Sequence, residues 1–376
     1  MSANTPRILV IDDEVRKEEA RAAGLRTSNL DVAVLLPQDV TREDLGAADV
    51  IAVDHRFDWS LLPHPDECLY WPRDGLAIAA VVTGHLRQIG DHHAAVVLRT
   101  GELPTLGTGL PPAIRKPVIS AQYGLDWVLT KEDPNVAAQL HSIAEAVDAL
   151  KPLVANPLGW NEGSEWLGLP DGKWYEGALA DVQVCNPPEN TVAAYTAGSA
   201  WLRWFAHRIL PFPTFLLPAH WAATLLRLDL ATFESIRASD SPLSTAINEC
   251  LYTGQLAALS EPRWWRAGLD TLVDSLLLEA AADLSESQAL AEQMTVMHGE
   301  AVQTLQMNSP VMTIDSDYVP MDVADAADCV RLAPDFWPVF AQEPWALSSE
   351  LYDDPDLRRM IARGDRRRLA SGGSDV

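Results

Sequence analysis

Five short apolar runs, Arg7–Ile11, Val32–Leu36, Val50–Val53, Ala95–Leu98 and Trp127–Leu129, recur through the first 150 residues of the chain. They are continuous in Val, Ile and Leu rather than alternating, which is the pattern of strands buried on both faces. Between them, Glu14–Gly24, Thr41–Ala47 and Asp74–Ile89 show helical spacing. A last helix follows Asp133-Pro134, an N-cap and first-turn proline ahead of a stripe of Val136, Leu140, Ile143 and Val147. An alternating β/α string of this kind predicts a doubly wound parallel α/β sheet over residues 1–150.

The chain has 376 residues, more than one ordinary domain needs. Residues 151–190, rich in Gly, Pro, Asn and Trp, read as an irregular boundary region. From 191 to 376 the reading is a mostly α-helical domain, with helical spacing over Thr191–Leu210, Pro218–Leu228, Ser244–Leu259, Pro262–Ala281 and Ser285–Met307. Ser285 with Gln288 has the form of a capping box. Asp315–Tyr318 and the stretch PDFWPVFAQEPW read as a loop-rich end piece packed by aromatics.

A net charge of −25 argues against a protein that grips nucleic acid through its phosphates. The Arg-rich tail (Arg358, Arg359, Arg363 and Arg366 to Arg368) reads as a solvated terminus. Four cysteines without metal-type spacing read as reduced thiols of a cytoplasmic protein. The apolar stretch Ile209–Leu228 is broken by Pro211, Pro213 and Pro218, too interrupted to span a bilayer. Neither a nucleic-acid nor a membrane partner is expected.

The chemistry concentrates at the C-terminal ends of the apolar runs. Asp12 and Asp13 end the first, Asp54 the third, Thr100 the fourth and Lys131 the fifth. A parallel sheet brings such positions to one edge. Carboxylates there suit Mg²⁺, a further carboxylate can act as a nucleophile toward phosphorus, and a Lys ammonium neutralises phosphoryl oxygens. Two long segments leave the same edge: residues 55–73 after Asp54 and residues 101–117, Gly/Pro-rich, after Thr100. The second half offers weaker signals. Arg203 with His207, and His220 with Thr224, lie one helical turn apart and read first as surface coincidence. The tryptophans there, Trp201 and Trp204 among them, read first as core and second as a partner groove. Asp315, Asp317 and Asp322 read as a solvated acidic loop.

Taken in order, acidic pair, lone Asp, Thr and Lys, residues 7–150 resemble the receiver domain of two-component response regulators. The approach Gly124-Leu125-Asp126-Trp127-Val128-Leu129-Thr130-Lys131 is similar to that family's. The resemblance implies a flavodoxin-like fold, with Asp54 as phosphoacceptor and Mg²⁺ held by Asp13, Asp54 and the backbone carbonyl of Arg56, assisted by Asp12. It implies Lys131 and Thr100 as phosphoryl-binding groups, and a histidine kinase or other phosphodonor as partner. The helical domain would then bind a protein, and homodimers are compatible with this reading. The receiver part would catalyse at most its own phosphorylation and autodephosphorylation, and a further reading makes the helical half an enzyme that the receiver switches.

Several positions depart from the family pattern. Glu132 replaces the usual Pro after the Lys, Val128 stands at the switch-aromatic position with Trp127 one place out, and the fourth helix reads as replaced or displaced by the 101–117 loop. The insertion after Asp54 resembles an atypical subclass associated with bacterial defence genes. The alternative is a pseudo-receiver scaffold that binds a partner without phosphorylation. A haloacid dehalogenase-type phosphatase needs a similar kit, but its D-x-D nucleophile pair is absent, since Asp12 is followed two places on by Glu14.

Overall fold

The computed structural model describes residues 5–26, 28–58, 72–89, 94–154, 166–169, 172–187, 197–281 and 283–372. Most of the 55–73 insertion, including Trp59, Cys68 and Trp71, lies outside them, as do parts of the 151–190 boundary region.

Strands β1 (Arg7–Ile11), β2 (Asp31–Leu35), β3 (Val50–Asp54), β4 (Ala95–Thr100) and β5 (Trp127–Thr130) form one sheet. All pairings are parallel and the order is β2-β1-β3-β4-β5, the flavodoxin-like arrangement. Every residue of β3 and β4 is buried, which is why their sequences lack alternation. The two faces feed two cores. Ile8, Val10, Val50, Ala52, Val97, Trp127 and Leu129 face α6 (Val136–Val154). Leu9, Ile11, Ile51, Val53, Val96, Leu98 and Val128 face α3 (Gly75–Ile89) and α5 (Arg115–Tyr123).

Local signals match the helices. Thr41 and Asp44 complete a reciprocal capping box on α2 (Arg42–Ala47), and Gly124, at φ 65°, ends α5. The 101–117 segment corrects the sequence reading. It holds α4 (Leu103–Leu106) and a 3-10 turn at Pro112–Ile114, and α5 then occupies the connection between β4 and β5. Pro117 hid that helix from view. It lies in the first turn, where the missing N–H has no intrahelical partner to lose.

The second half is helix-rich and carries two small sheets besides. β6 (Leu216–Pro218) pairs antiparallel with β7 (Arg263–Trp265), and β8 (Pro310–Ile314), β9 (Pro320–Asp325), β10 (Cys329–Arg331) and β11 (Trp345–Leu347) form a mixed sheet. The helix expected over Ser244–Leu259 is Pro242–Glu249, and the one expected from Pro262 starts at Arg266. Between them, Tyr252 N–H donates to Arg263 O and Trp265 N–H to Cys250 O, so cross-strand pairing overrides helical spacing. Gly299, at φ 85°, stops the last long helix at His298. Its Ser285–Gln288 capping box forms as the sequence indicates. Residues 315–318 are a turn between β8 and β9. Trp337 packs on Phe212, Trp221 and Tyr318, so aromatics do hold the end piece.

One core runs through both halves. The α6 face of the sheet is continuous with Phe205, Ile209, Phe215 and Trp265, and Ile114 joins the other core of the second half. At the joint, helix Ala197–Trp204 passes into a π-turn at Phe205–Ile209. The Arg203 guanidinium forks onto Asp126, Nε to Oδ1 at 2.9 Å and Nη2 to Oδ2 at 3.3 Å. The same carboxylate accepts Val96 N–H at 2.7 Å, and His207 Nε2 donates to Asp126 O at 2.9 Å. Burial drives His207 down to about 4, so it stays neutral and its Nε2 carries the proton. Arg203 and His207, read from sequence as surface coincidence, are the clamp between the halves. Removing one partner of a buried pair strands the other charge, so Arg203→Met should lose about 3 kcal/mol in urea unfolding. A loss under about 1 kcal/mol would show that the joint is not held by this pair.

Candidate functional site

The ends of β1, β3, β4 and β5 converge as the strand order requires. Ligand oxygens of Asp12, Asp13 and Asp54 lie within 4.8 Å of one another. Lys131 Nζ is 2.6 Å from Asp54 Oδ1. Asp12, Asp54 and Thr100 are almost fully buried, at 1%, 3% and 1% exposure, while Asp13 is half-buried. The three carboxylates and Lys131 therefore share one pocket, open on its acidic side at Asp13, with Thr100 at the end of the neighbouring strand.

Local bonds fix each group. Asp12 Oδ1 accepts Glu14 N–H at 2.8 Å, which orients it at the mouth of α1 (Val15–Arg26). Asp13 Oδ2 accepts Asp58 N–H at 2.7 Å and so ties down the start of the insertion. Thr100 Oγ1 accepts Glu102 N–H at 2.9 Å and lies 3.3 Å from His55 Nδ1. The exposed Arg56 side chain pairs with Glu102 at 2.5 Å, bridging the two segments that leave the sheet edge.

Three features of the pocket escaped the sequence reading. Glu18, buried on α1, pairs with Arg99 of β4 at 2.7 Å beneath the site. His55 lies beside Thr100. Gly75 opens α3 so close to β3 that a Cβ there would meet Asp54 O at 1.8 Å. Only the insertion's length, which separates Gly75 from Asp54 in the sequence, hid that last contact.

The carboxylates repel one another. Burial, then the charge of Asp54, pushes Asp12 up to about 6. Burial likewise raises Asp54, opposed by Lys131 and Arg99. Among the described residues Asp12 Oδ2 accepts no hydrogen bond, and Lys131 is the partner of Asp54 Oδ1. Clustered, desolvated oxygens with unused lone pairs fit a small, hard divalent cation such as Mg²⁺. Among the described residues no peptide bond is cis, so Lys131–Glu132 is trans. Val128 is buried on the sheet face that packs on α3 and α5, whereas Trp127 points the other way, toward the second half.

No family model matches the chain, and no curated protein matches it. Solved structures do. A receiver domain protein from Methanospirillum hungatei JF-1 is similar at 16% identity, over 40% of this chain and 98% of its own, with a TM-score of 0.25. The receiver domain of Francisella response regulator 1452 matches at 16% identity over 39% and 97%, with a TM-score of 0.23. A response regulator from Burkholderia pseudomallei, solved with a phosphorylated aspartic acid, a calcium ion and citrate, matches at 17% identity over 54% and 98%, with a TM-score of 0.24. Those scores add no weight by themselves. The strand order and the acidic strand ends of this chain carry the assignment. Residues 7–150 have the receiver fold.

Two outcomes follow. Since Asp12 is raised above its ordinary value of 3.8, the folded state gains stability from its proton below that value and loses it as pH rises through about 6. In metal-free buffer, Asp12→Asn should therefore exceed the wild type by on the order of 2 kcal/mol at about pH 7.5, with the gap closing near pH 4. Urea titrations at both pH values check this, and added Mg²⁺ should narrow the gap at the higher one. Second, Gly75→Ala should cost about 2 kcal/mol or more, because the methyl group must displace the Asp54 backbone.

Proposed function

We propose that this chain accepts a phosphoryl group on Asp54 and reports it through the docking of its own second half. The observation that carries this reading is the Lys131 ammonium 2.6 Å from a buried Asp54 carboxylate, beside two further carboxylates at the same sheet edge. An Asp54 oxygen would attack phosphorus of a histidine kinase phosphohistidine or of a small phosphodonor. The new O–P bond forms as the donor's bond to phosphorus breaks, leaving an acyl phosphate. Mg²⁺, held by Asp12, Asp13, Asp54 and the carbonyl of Arg56, would supply charge neutralisation for the incoming oxygens. Lys131 would exchange its carboxylate partner for the phosphoryl group. Thr100 would leave Glu102 N–H to donate to the same group.

The output follows from chain continuity. Thr100 leads through the 101–114 segment to Ile114, which is buried in the second half's core. Lys131 directly follows the strand whose first residue, Trp127, comes after the clamped Asp126. Movement of either pocket group thus pulls on the joint between halves, with residues 1–150 as switch and 191–376 as output. The helix-rich half would present the altered surface to a protein partner.

Incubation with Mg²⁺ and acetyl phosphate should add one phosphoryl mass, mapped to Asp54 and absent from Asp54→Asn. Lys131→Met should slow the labelling by roughly a hundredfold, the scale of removing one transition-state donor. Equal labelling of Asp54→Asn, or none of the wild type with any donor, would replace this reading with that of a scaffold.

A further inference from the structure

A cavity of about 290 Å³ lies between the two halves, away from the phosphoryl pocket. Lys116 and Trp127 of the receiver half line it on one side, and Phe212, Trp221, Tyr318 and Trp337 of the second half on the other. Arg263 of β7 completes the wall. Its exposure is 6%, yet neither Nε nor Nη1 has a hydrogen-bond partner. Trp127 Nε1, at 4% exposure, has none either.

Buried polar groups without partners are rare and call for a physical reason. Here the unmet groups are all donors, so the missing partner is an acceptor. Among the described residues no carboxylate forms an ion pair with Arg263. Glu261, also in the lining, is exposed and leaves it unpaired. Burial lowers the guanidinium to about 10 against the opposing pull of the Glu261 charge, which forms no ion pair with it. A water molecule could accept its hydrogen bonds but would leave the charge uncompensated. Lys116 adds a second cation, with Asp133 only at 3.8 Å. The aromatic rings supply flat apolar walls, and an apolar cavity of about 150 Å³ already holds benzene.

We propose that this cavity binds a small organic anion with a flat apolar body, its carboxylate or phosphate seated on Arg263 and its ring between the tryptophans. The site is formed by both halves and is independent of Asp54 chemistry. Its occupant would bridge the joint without touching the phosphoryl pocket.

Isothermal titration of the full chain with benzoate and with phenyl phosphate, and with benzamide as the neutral control, tests this. At least one anion should bind saturably while benzamide binds at least about tenfold more weakly. The stronger anion tells carboxylate from phosphate. Arg263→Met should fold, since it removes an unpaired buried charge, and should melt higher than wild type while weakening the anion at least about tenfold. Ala113→Trp, which fills the exposed rim of the cavity, should abolish binding. Absence of saturable binding by both anions, equal binding of benzamide, or full binding in Ala113→Trp would overturn the proposal. Should Arg263→Met fail to fold, Ala113→Trp decides it alone.

Discussion

The structure hinges on one buried carboxylate. Asp126 sits where the turn after α5 enters β5, and three elements meet on it. Val96 N–H ties it to the sheet, the Arg203 fork ties it to the second half, and its own carbonyl receives His207. A carboxylate this deeply buried is tolerable only with its lone pairs used and its charge matched, so the three bonds stand or fall together. The π-turn at Phe205–Ile209 aims His207 at the carbonyl in the same register that Arg203 reaches the side chain. The receiver face carrying α5 and β5 is therefore covered by the chain itself. Any signal arising at Asp54 meets an intramolecular contact first.

A tension at the opposite end of β5 complements that joint. Three carboxylates, one lysine and a buried Glu18–Arg99 pair share a small volume, and both Asp12 and Asp54 are raised by desolvation. Such an arrangement is strained electrostatically without a cation and relaxed with one. It is also where the proposed phosphoryl group, by drawing Lys131 away from Asp54, would change the balance most. Since Lys131 directly follows the four-residue strand that begins at Trp127, the pocket and the joint are close along the chain.

Much of the first half was legible because its rules are local. Continuous Val/Ile/Leu runs mark strands buried on both faces, as in β3 and β4, although the edge strand β2 is partly exposed on one, and the residues that end the runs fall at one edge by topology. Asp12, Asp13, Asp54 and Lys131, named from sequence, come together there, and Thr100 ends the strand next to that of Asp54. What escaped depended on contacts between distant segments. Pro117 concealed α5, since a proline reads as a breaker unless its place in the first turn is known. Gly75 was silent because its reason, the approach of α3 to the Asp54 carbonyl, lies across an insertion. Arg203 and His207 had the spacing of a surface pair, and nothing local said that a buried Asp126 would be their partner. β6 and β7 were masked for a similar reason, as strands of three residues whose aromatics also fit a helical stripe.

The central claim is that phosphate on Asp54 is felt at the Asp126 joint. Hydrogen–deuterium exchange with and without acetyl phosphate and Mg²⁺ measures it most directly. The account predicts altered protection in α5, in β5 and across Ala197–Ile209 in the phosphorylated protein, and no change in Asp54→Asn. Stoichiometric phosphate on Asp54 with exchange altered only around the pocket would contradict it.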